Sequence, residues 1–250
     1  MNLTSKLNKS TTCLPIKTNS IYLLPPRFYA IQFVLLAFFA VLFTWFSRSE
    51  TLDMMLTRIW FDPITRQFPW KESLWLDVIN HRLLKYLVIA TGVMLLFKGL
   101  LRRQPQLILV ALLIGVGSLA VGVLKASSAH SCPWDLVEFG GQAFSYPLFG
   151  QVPENSGPGR CFPGGHASSG FSLMALFFLF RPQRARLAWS CWSVAVLLGL
   201  LMGFGQVMRG AHFFSHNLWS GWWVWLVQLL TFGCVSYLLN RKRKIDNGNA

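Results

Sequence analysis

The chain is short of charge and shorter still of acid. Charged residues make up 13% of its 250 positions, with nine Asp and Glu against 23 Lys and Arg. A soluble domain carries about 25% charged residues, so a water-facing surface on all sides is excluded. No H-E-x-x-H arrangement occurs, which removes the commonest zinc-hydrolase signature. The five cysteines are an odd number, so they do not all pair within the chain. There is no internal repeat, no low-complexity tract and no sign of a second domain. A cleavable leader is not expected either: the first twenty residues are polar and the first apolar run is of full length.

What the chain does have is apolar length. It is 53% hydrophobic, with a mean hydropathy of +0.44. Six apolar runs approach the roughly 20 residues needed to cross a bilayer: 28–46, 83–101, 107–124, 167–180, 187–204 and 218–239. The fourth is short, and Lys85 and Lys98 must snorkel from the ends of the second. The expected fold is all-α, a polytopic membrane protein with six transmembrane helices in a bundle. Its expected parts are a tail at 1–27, a membrane domain at 28–240 and a basic tail at 241–250. An outer loop at 47–82 would form short surface helices, and a second outer loop would span 125–166.

The net charge of +14 needs no nucleic acid. Lys6, Lys9, Lys17 and Arg27 precede the first run. Arg102 and Arg103 follow the second, Arg181, Arg184 and Arg186 the fourth, and Arg241, Lys242, Arg243 and Lys244 the sixth. With six crossings these segments share one side, the cytoplasmic side by the positive-inside rule, and both termini lie there. Eight of the nine acidic residues fall on the other side.

That other side gathers Lys125, His166, Arg209, His212 and His216 at the ends of apolar runs, where ionisable groups are costly unless they have a partner or a task. In "GRCFPGGHASSGF", 159–171, Pro163 stops the incoming chain, and Gly164 and Gly165 allow close approach to a ligand. A helix then opens at about Ala167, its free N–H groups suited to an anion. Taken alone, this stretch reads as an ordinary helix start with a solvated histidine. In "QVMRGAHFFSHNLW", 206–219, Gln206, Arg209, His212 and His216 are spaced three, three and four, so a continuous helix would put neighbours on one face. His212 and His216 also have metal-pair spacing, but no third carboxylate ligand stands near, and metal ranks below phosphate. Cys132 and Cys161 share the outer loop. Either they pair, if that side is oxidising, or they are two unpaired small residues.

The order Lys125 … Pro163-x-Gly165-His166 … His212 at the outer ends of six runs resembles the type 2 phosphatidic acid phosphatase superfamily, relatives of the vanadium haloperoxidases. That family's pattern is K-x6-R-P, then P-S-G-H, then S-R-x5-H-x3-D. Lys125 and Pro133 keep the first spacing. Cys132 replaces its arginine, Gly164 the serine of the second motif, Gly205–Gln206 the Ser-Arg of the third, and His216 its aspartate. The resemblance covers about 125–221 and implies metal-independent hydrolysis of a lipid phosphate monoester or pyrophosphate, with no cofactor. His212 would be the nucleophile of a phosphohistidine intermediate, His166 the acid and base, and His216 the residue orienting His212. Lys125, Arg160, Gly164, Gly165, Arg209 and Gln206 would hold the phosphate, with Asp135 or Glu138 available as negative charge behind His212. The resemblance also implies a bilayer partner and a site facing away from the cytoplasm, at the inner membrane if the cell is Gram-negative. A lipid phosphotransferase and a non-catalytic lipid-phosphate binding or transport relative are the alternatives. The oligomeric state is not legible.

Overall fold

The computed structural model describes residues 20–48 and 51–248, so most of the expected N-terminal tail (1–19, with Cys13) lies outside the described residues. Eight α-helices are named here in chain order: α1 (Pro26–Arg48), α2 (Thr51–Arg58), α3 (Leu84–Leu101), α4 (Pro105–Ala126), α5 (Gly165–Ser172), α6 (Leu176–Phe180), α7 (Ala185–Met208) and α8 (Phe214–Gly248). No named strand occurs among the described residues. The chain is an all-helical polytopic membrane bundle.

Five helices are long and apolar enough to cross a membrane: Pro26–Ser47, Leu76–Leu101, Pro105–Ala126, Ala185–Met208 and Phe214–Arg243. The fourth apolar run is the exception to the expected six. It folds as α5, a 3₁₀ turn at Leu173–Ala175 and α6, together a shorter apolar helix, Gly165–Phe180. A broken helix at membrane depth requires its freed carbonyls to be satisfied by neighbours. They are: Gln228 Nε2 donates to the Ser172 carbonyl at 2.7 Å. Gln106 Nε2 and Tyr22 Oη donate to the Phe178 carbonyl at 2.8 and 2.7 Å. Gln228 on α8 thus holds the break, and Gln106 on α4 holds the end of α6.

The second crossing starts earlier than expected. A π-helical turn at Leu76–Leu83, expected as a separate surface helix, runs straight into α3. At the other end of the chain, α8 continues through the basic run to Gly248 where a separate tail was expected. α5 lies innermost, packed on α4, α7 and α8. Its crossing with α7 is close: a Cβ on Gly170 would stand 2.6 Å from the Gly199 amide nitrogen. Small residues at such a crossing let backbones approach as they do between membrane helices generally. On the far side of α5–α6, Phe177, Phe178, Trp225 and Phe232 form the aromatic centre of the core, with Phe178 stacked on Phe232 at 4.3 Å.

The loops 51–75 and 127–164 make a cap with a core of its own. Phe68, Leu136, Phe139, Ala143 and Phe213 are buried together, with Trp60, Phe61 and Trp134 packed against them. Polar ties fix this cap to the turn between α7 and α8. Asp53 on α2 accepts the Ser215 N–H at 2.9 Å and also the Ser215 hydroxyl, capping the start of α8. The Trp134 N–H donates to the Gly210 carbonyl at 3.0 Å.

Candidate functional site

Three segments meet beneath the cap. α4 brings Lys125 in its last turn. The loop 159–164 and the first turn of α5 bring Gly164, Gly165 and His166. The α7–α8 turn brings His212. A Cβ on Gly165 would lie 3.6 Å from Lys125 Nζ, so the ammonium stands over the start of α5. The His166 and His212 rings are 6.1 Å apart between centroids. Lys125, Gly165, His166 and His212 therefore share one site, although the second and third segments are separated by two helical passes.

α5 starts where it does because α8 holds it. The Gly164 N–H donates to the His216 carbonyl at 2.9 Å, and Ser220 Oγ donates to the Gly164 carbonyl at 2.8 Å. Asn217 fills the space beside Gly164: a Cβ there would lie 2.4 Å from Asn217 Oδ1. The glycine that replaces the family's serine is thus dictated by packing. Asn217 itself is pinned, with Nδ2 donating to the Gly203 and Phe213 carbonyls, each at 3.2 Å.

The α7–α8 turn corrects one expectation. Gln206, Arg209 and His212 do not share a helical face, because α7 ends at Met208. Gly210, at φ +72°, closes it as a left-handed cap. The Gly210 N–H donates to the Val207 carbonyl at 2.9 Å and the Ala211 N–H to the Gln206 carbonyl at 2.9 Å, the bonding of a Schellman motif. The turn swings Arg209 away from the expected clamp. Its Nε donates to the Lys71 carbonyl at 3.0 Å, and Nη1 lies 3.8 Å from Asp77. Arg209 fastens the first outer loop to the turn that carries His212. Exchanging Arg209 for alanine is expected to cost about 1–2 kcal/mol of stability and to leave turnover within roughly tenfold, read by thermal melts and steady-state rates. A phosphate clamp would lose far more, since removal of one transition-state donor costs about 10²–10³.

The remaining expected residues divide. Gln206 is 2% exposed, and among the described residues its Nε2 has no hydrogen-bond partner; its carbonyl accepts the Ala211 and His212 N–H groups. Arg160 is exposed, with φ +58° and its N–H on the Ser128 carbonyl at 2.7 Å. His216 does not stand behind His212. Its Nδ1 faces the Cys161 carbonyl at 3.1 Å, so it anchors the loop ahead of α5. Asp135 accepts the Cys132 N–H at 3.3 Å and Glu138 accepts the Ser145 hydroxyl at 2.8 Å; neither takes the place suggested behind His212. Cys132 and Cys161 are joined in a disulfide. Their sulfurs and a His212 nitrogen lie within 4.8 Å of one another, but sulfurs bonded to each other offer no thiolate, and metal binding by cysteine needs the thiolate.

Several positioning residues were invisible to sequence reasoning. Asp53 lies 162 positions from Ser215. Asn80 stands beside Gly205, where a Cβ would press on the end of its side chain. The polar "SHN" opening of the last apolar run was a signal for a capped helix start, and the glycine of "MRGAH" was a signal for a stop.

His212 is 1% exposed. Its pKa is driven well below the ordinary histidine range, first by burial, then by the charges of Lys125, His216 and His166, against a smaller opposing effect of the Cys161 backbone. Burial likewise lowers His130. Both histidines are neutral in the fold, while an unfolded chain takes up their protons near 6.5. The unfolded state then binds more protons at low pH, so stability rises with pH up to that point and is lost below it. Thermal melts followed by tryptophan fluorescence are expected to be level above about pH 7 and to fall below it.

A bundle of apolar crossings with a buried cluster of polar side chains at one end defines a helical membrane protein. The PAP2 superfamily matches residues 106–240, from α4 through α8, and encloses every residue of the three converging segments. The chain belongs to the PAP2 superfamily, whose members are generally phosphatases. Neither a curated protein nor a solved structure matches the chain.

Proposed function

We propose that this protein hydrolyses a lipid phosphate monoester or pyrophosphate, without a metal, through a phosphohistidine on His212. The observation that supports it most is the convergence of Lys125, the start of α5, His166 and a neutral His212 in one site. A neutral imidazole has a lone pair for attack on phosphorus. His166, across a 6.1 Å ring separation, is placed to protonate the leaving oxygen and then to take a proton from water in the second step. Lys125 and the backbone N–H groups of the first turn of α5 would stabilise charge on the equatorial oxygens. Gln206 would add a neutral donor, and Arg160 a charge at the rim. The expected setting is the extracytoplasmic side of a bacterial inner membrane, with both termini cytoplasmic.

The test is phosphate release by purified protein in detergent, across phosphatidate-type lipids, polyprenyl phosphates and pyrophosphates, and lipid A phosphates. Release from at least one, inhibition by vanadate and indifference to EDTA are expected. Loss of activity in EDTA, restored by a divalent ion, would overturn the mechanism. Transfer of labelled phosphate to a second lipid instead of water would make the protein a phosphotransferase.

A further inference from the structure

Among the described residues, no carboxylate stands behind His212. Asp53 is committed to Ser215, Asp135 to the Cys132 N–H, Glu138 to Ser145, and the His216 ring to the Cys161 carbonyl. What faces His212 Nδ1 at 3.3 Å is Cys161 Sγ, and the Cys161 backbone also acts on the ring. Cys161 is 0% exposed and bonded to Cys132. Cys132 leads into the turn at Pro133–Asp135, which is tied to Gly210 through the Trp134 N–H. The sulfur is therefore held from both sides, by the loop before α5 and by the cap.

We propose that Cys161 Sγ is the positioning partner of His212, accepting the Nδ1–H and leaving the Nε2 lone pair directed to phosphorus. This assignment rests on the phosphohistidine reading above for its catalytic meaning. Its physical basis is independent of that reading. A disulfide sulfur has no hydrogen and can only accept, so the contact favours the proton on Nδ1, while a bare Nδ1 would face the lone pairs of sulfur. The partner on one ring nitrogen sets which nitrogen is protonated. Sulfur is a weak acceptor, so this arrangement sets tautomer and orientation with little stabilisation of an imidazolium. A buried histidine surrounded by Lys125, His166 and His216 is kept neutral in any case. The two departures from the family pattern then form one change: a cysteine replaces the arginine of the first motif, and its disulfide partner does the aspartate's orienting.

Cys132→Ala and Cys161→Ala test this together, because both remove the cross-link and only the second removes the sulfur at His212. In Cys132→Ala the thiol hydrogen has an acceptor of its own, the Ala211 carbonyl oxygen 3.1 Å from Sγ, and the sulfur remains to accept from Nδ1. Both variants are assayed with a chelator present, so that freed thiols capture no metal. The expected result is similar thermal midpoints and KM, with kcat lower in Cys161→Ala by roughly tenfold or more, since a misdirected histidine tautomer is costly. Equal losses of kcat would overturn the proposal and leave the disulfide as a cross-link only. Nitrogen NMR of histidine-labelled protein, with the His212→Ala spectrum to assign the signal, is the readout that needs no turnover. The parent and Cys132→Ala should show Nδ1–H at His212, and Cys161→Ala should lose it; Nδ1–H kept in Cys161→Ala would give the role to the Cys161 backbone and overturn the proposal. An Nε2–H tautomer in the parent would overturn the proposal whatever the activity. Nδ1–H in a parent that releases no phosphate would instead count against the proposed reaction alone.

Discussion

Replacing His212 with alanine is expected to reduce phosphate release to background while leaving the bundle folded. The ring offers a neutral nucleophilic nitrogen beside Lys125 and across from His166. Its backbone N–H, on the Gln206 carbonyl, is kept by alanine. Removal of a nucleophile from a site that works as a unit costs on the order of 10⁴ or more in kcat. The measurement is kcat on the best substrate of the panel, with binding of that lipid followed separately by its effect on the thermal midpoint. Turnover at the parental rate would refute the phosphohistidine reading; lost turnover with retained binding is what it requires. His166→Ala should lose less, because an exogenous buffer acid can partly replace a proton donor.

The second large effect is expected from a change that looks like a repair. Serine at position 164 would restore the family's P-S-G-H motif, yet it should damage this protein. A Cβ at that point falls 2.4 Å from Asn217 Oδ1. Asn217 is 1% exposed and fixed by two carbonyls, so its side chain has nowhere to swing. Overpacking of this kind costs about 1–3 kcal/mol. Here the strain is delivered to the start of α5, and a displacement of about 1 Å at a reacting group is worth roughly 10²-fold in rate. Gly164→Ser is thus expected to lose about two orders of magnitude in kcat with a modest fall in thermal midpoint. Asn217→Ala, added to it, should recover part of both. Undiminished activity in Gly164→Ser would show that Asn217 yields, and that the glycine is not required by packing.

These cases show what the sequence made legible. Lys125, His166 and His212 could be placed together because each sits at the end of an apolar run on the same side, and helix topology alone carries such residues to one rim. The departures at Gly164 and Gly205 were visible as departures, but their causes were not. The side chains that crowd a Cβ at these positions belong to Asn217 and Asn80, which no local spacing connects to either glycine. Arg209 misled for the opposite reason: its spacing to Gln206 and His212 fits a helix, whereas Gly210 ends that helix one residue later. The disulfide was one of two open readings, and nothing in the spacing of Cys132 and Cys161 placed a sulfur against His212. The fourth crossing could be seen to be short. At its break, Leu173–Ala175, the Ser172 carbonyl is taken by Gln228, a glutamine that reads in sequence as an isolated polar residue in an apolar run.

That short helix sets the depth of the site. Sixteen residues from Gly165 to Phe180 rise about 24 Å at helical pitch, against roughly 30 Å of hydrocarbon. Because α5 lies innermost, packed on α4, α7 and α8, its neighbours rather than lipid surround the opening turn, and His166 starts a helix shorter than the full-length helices that wall it.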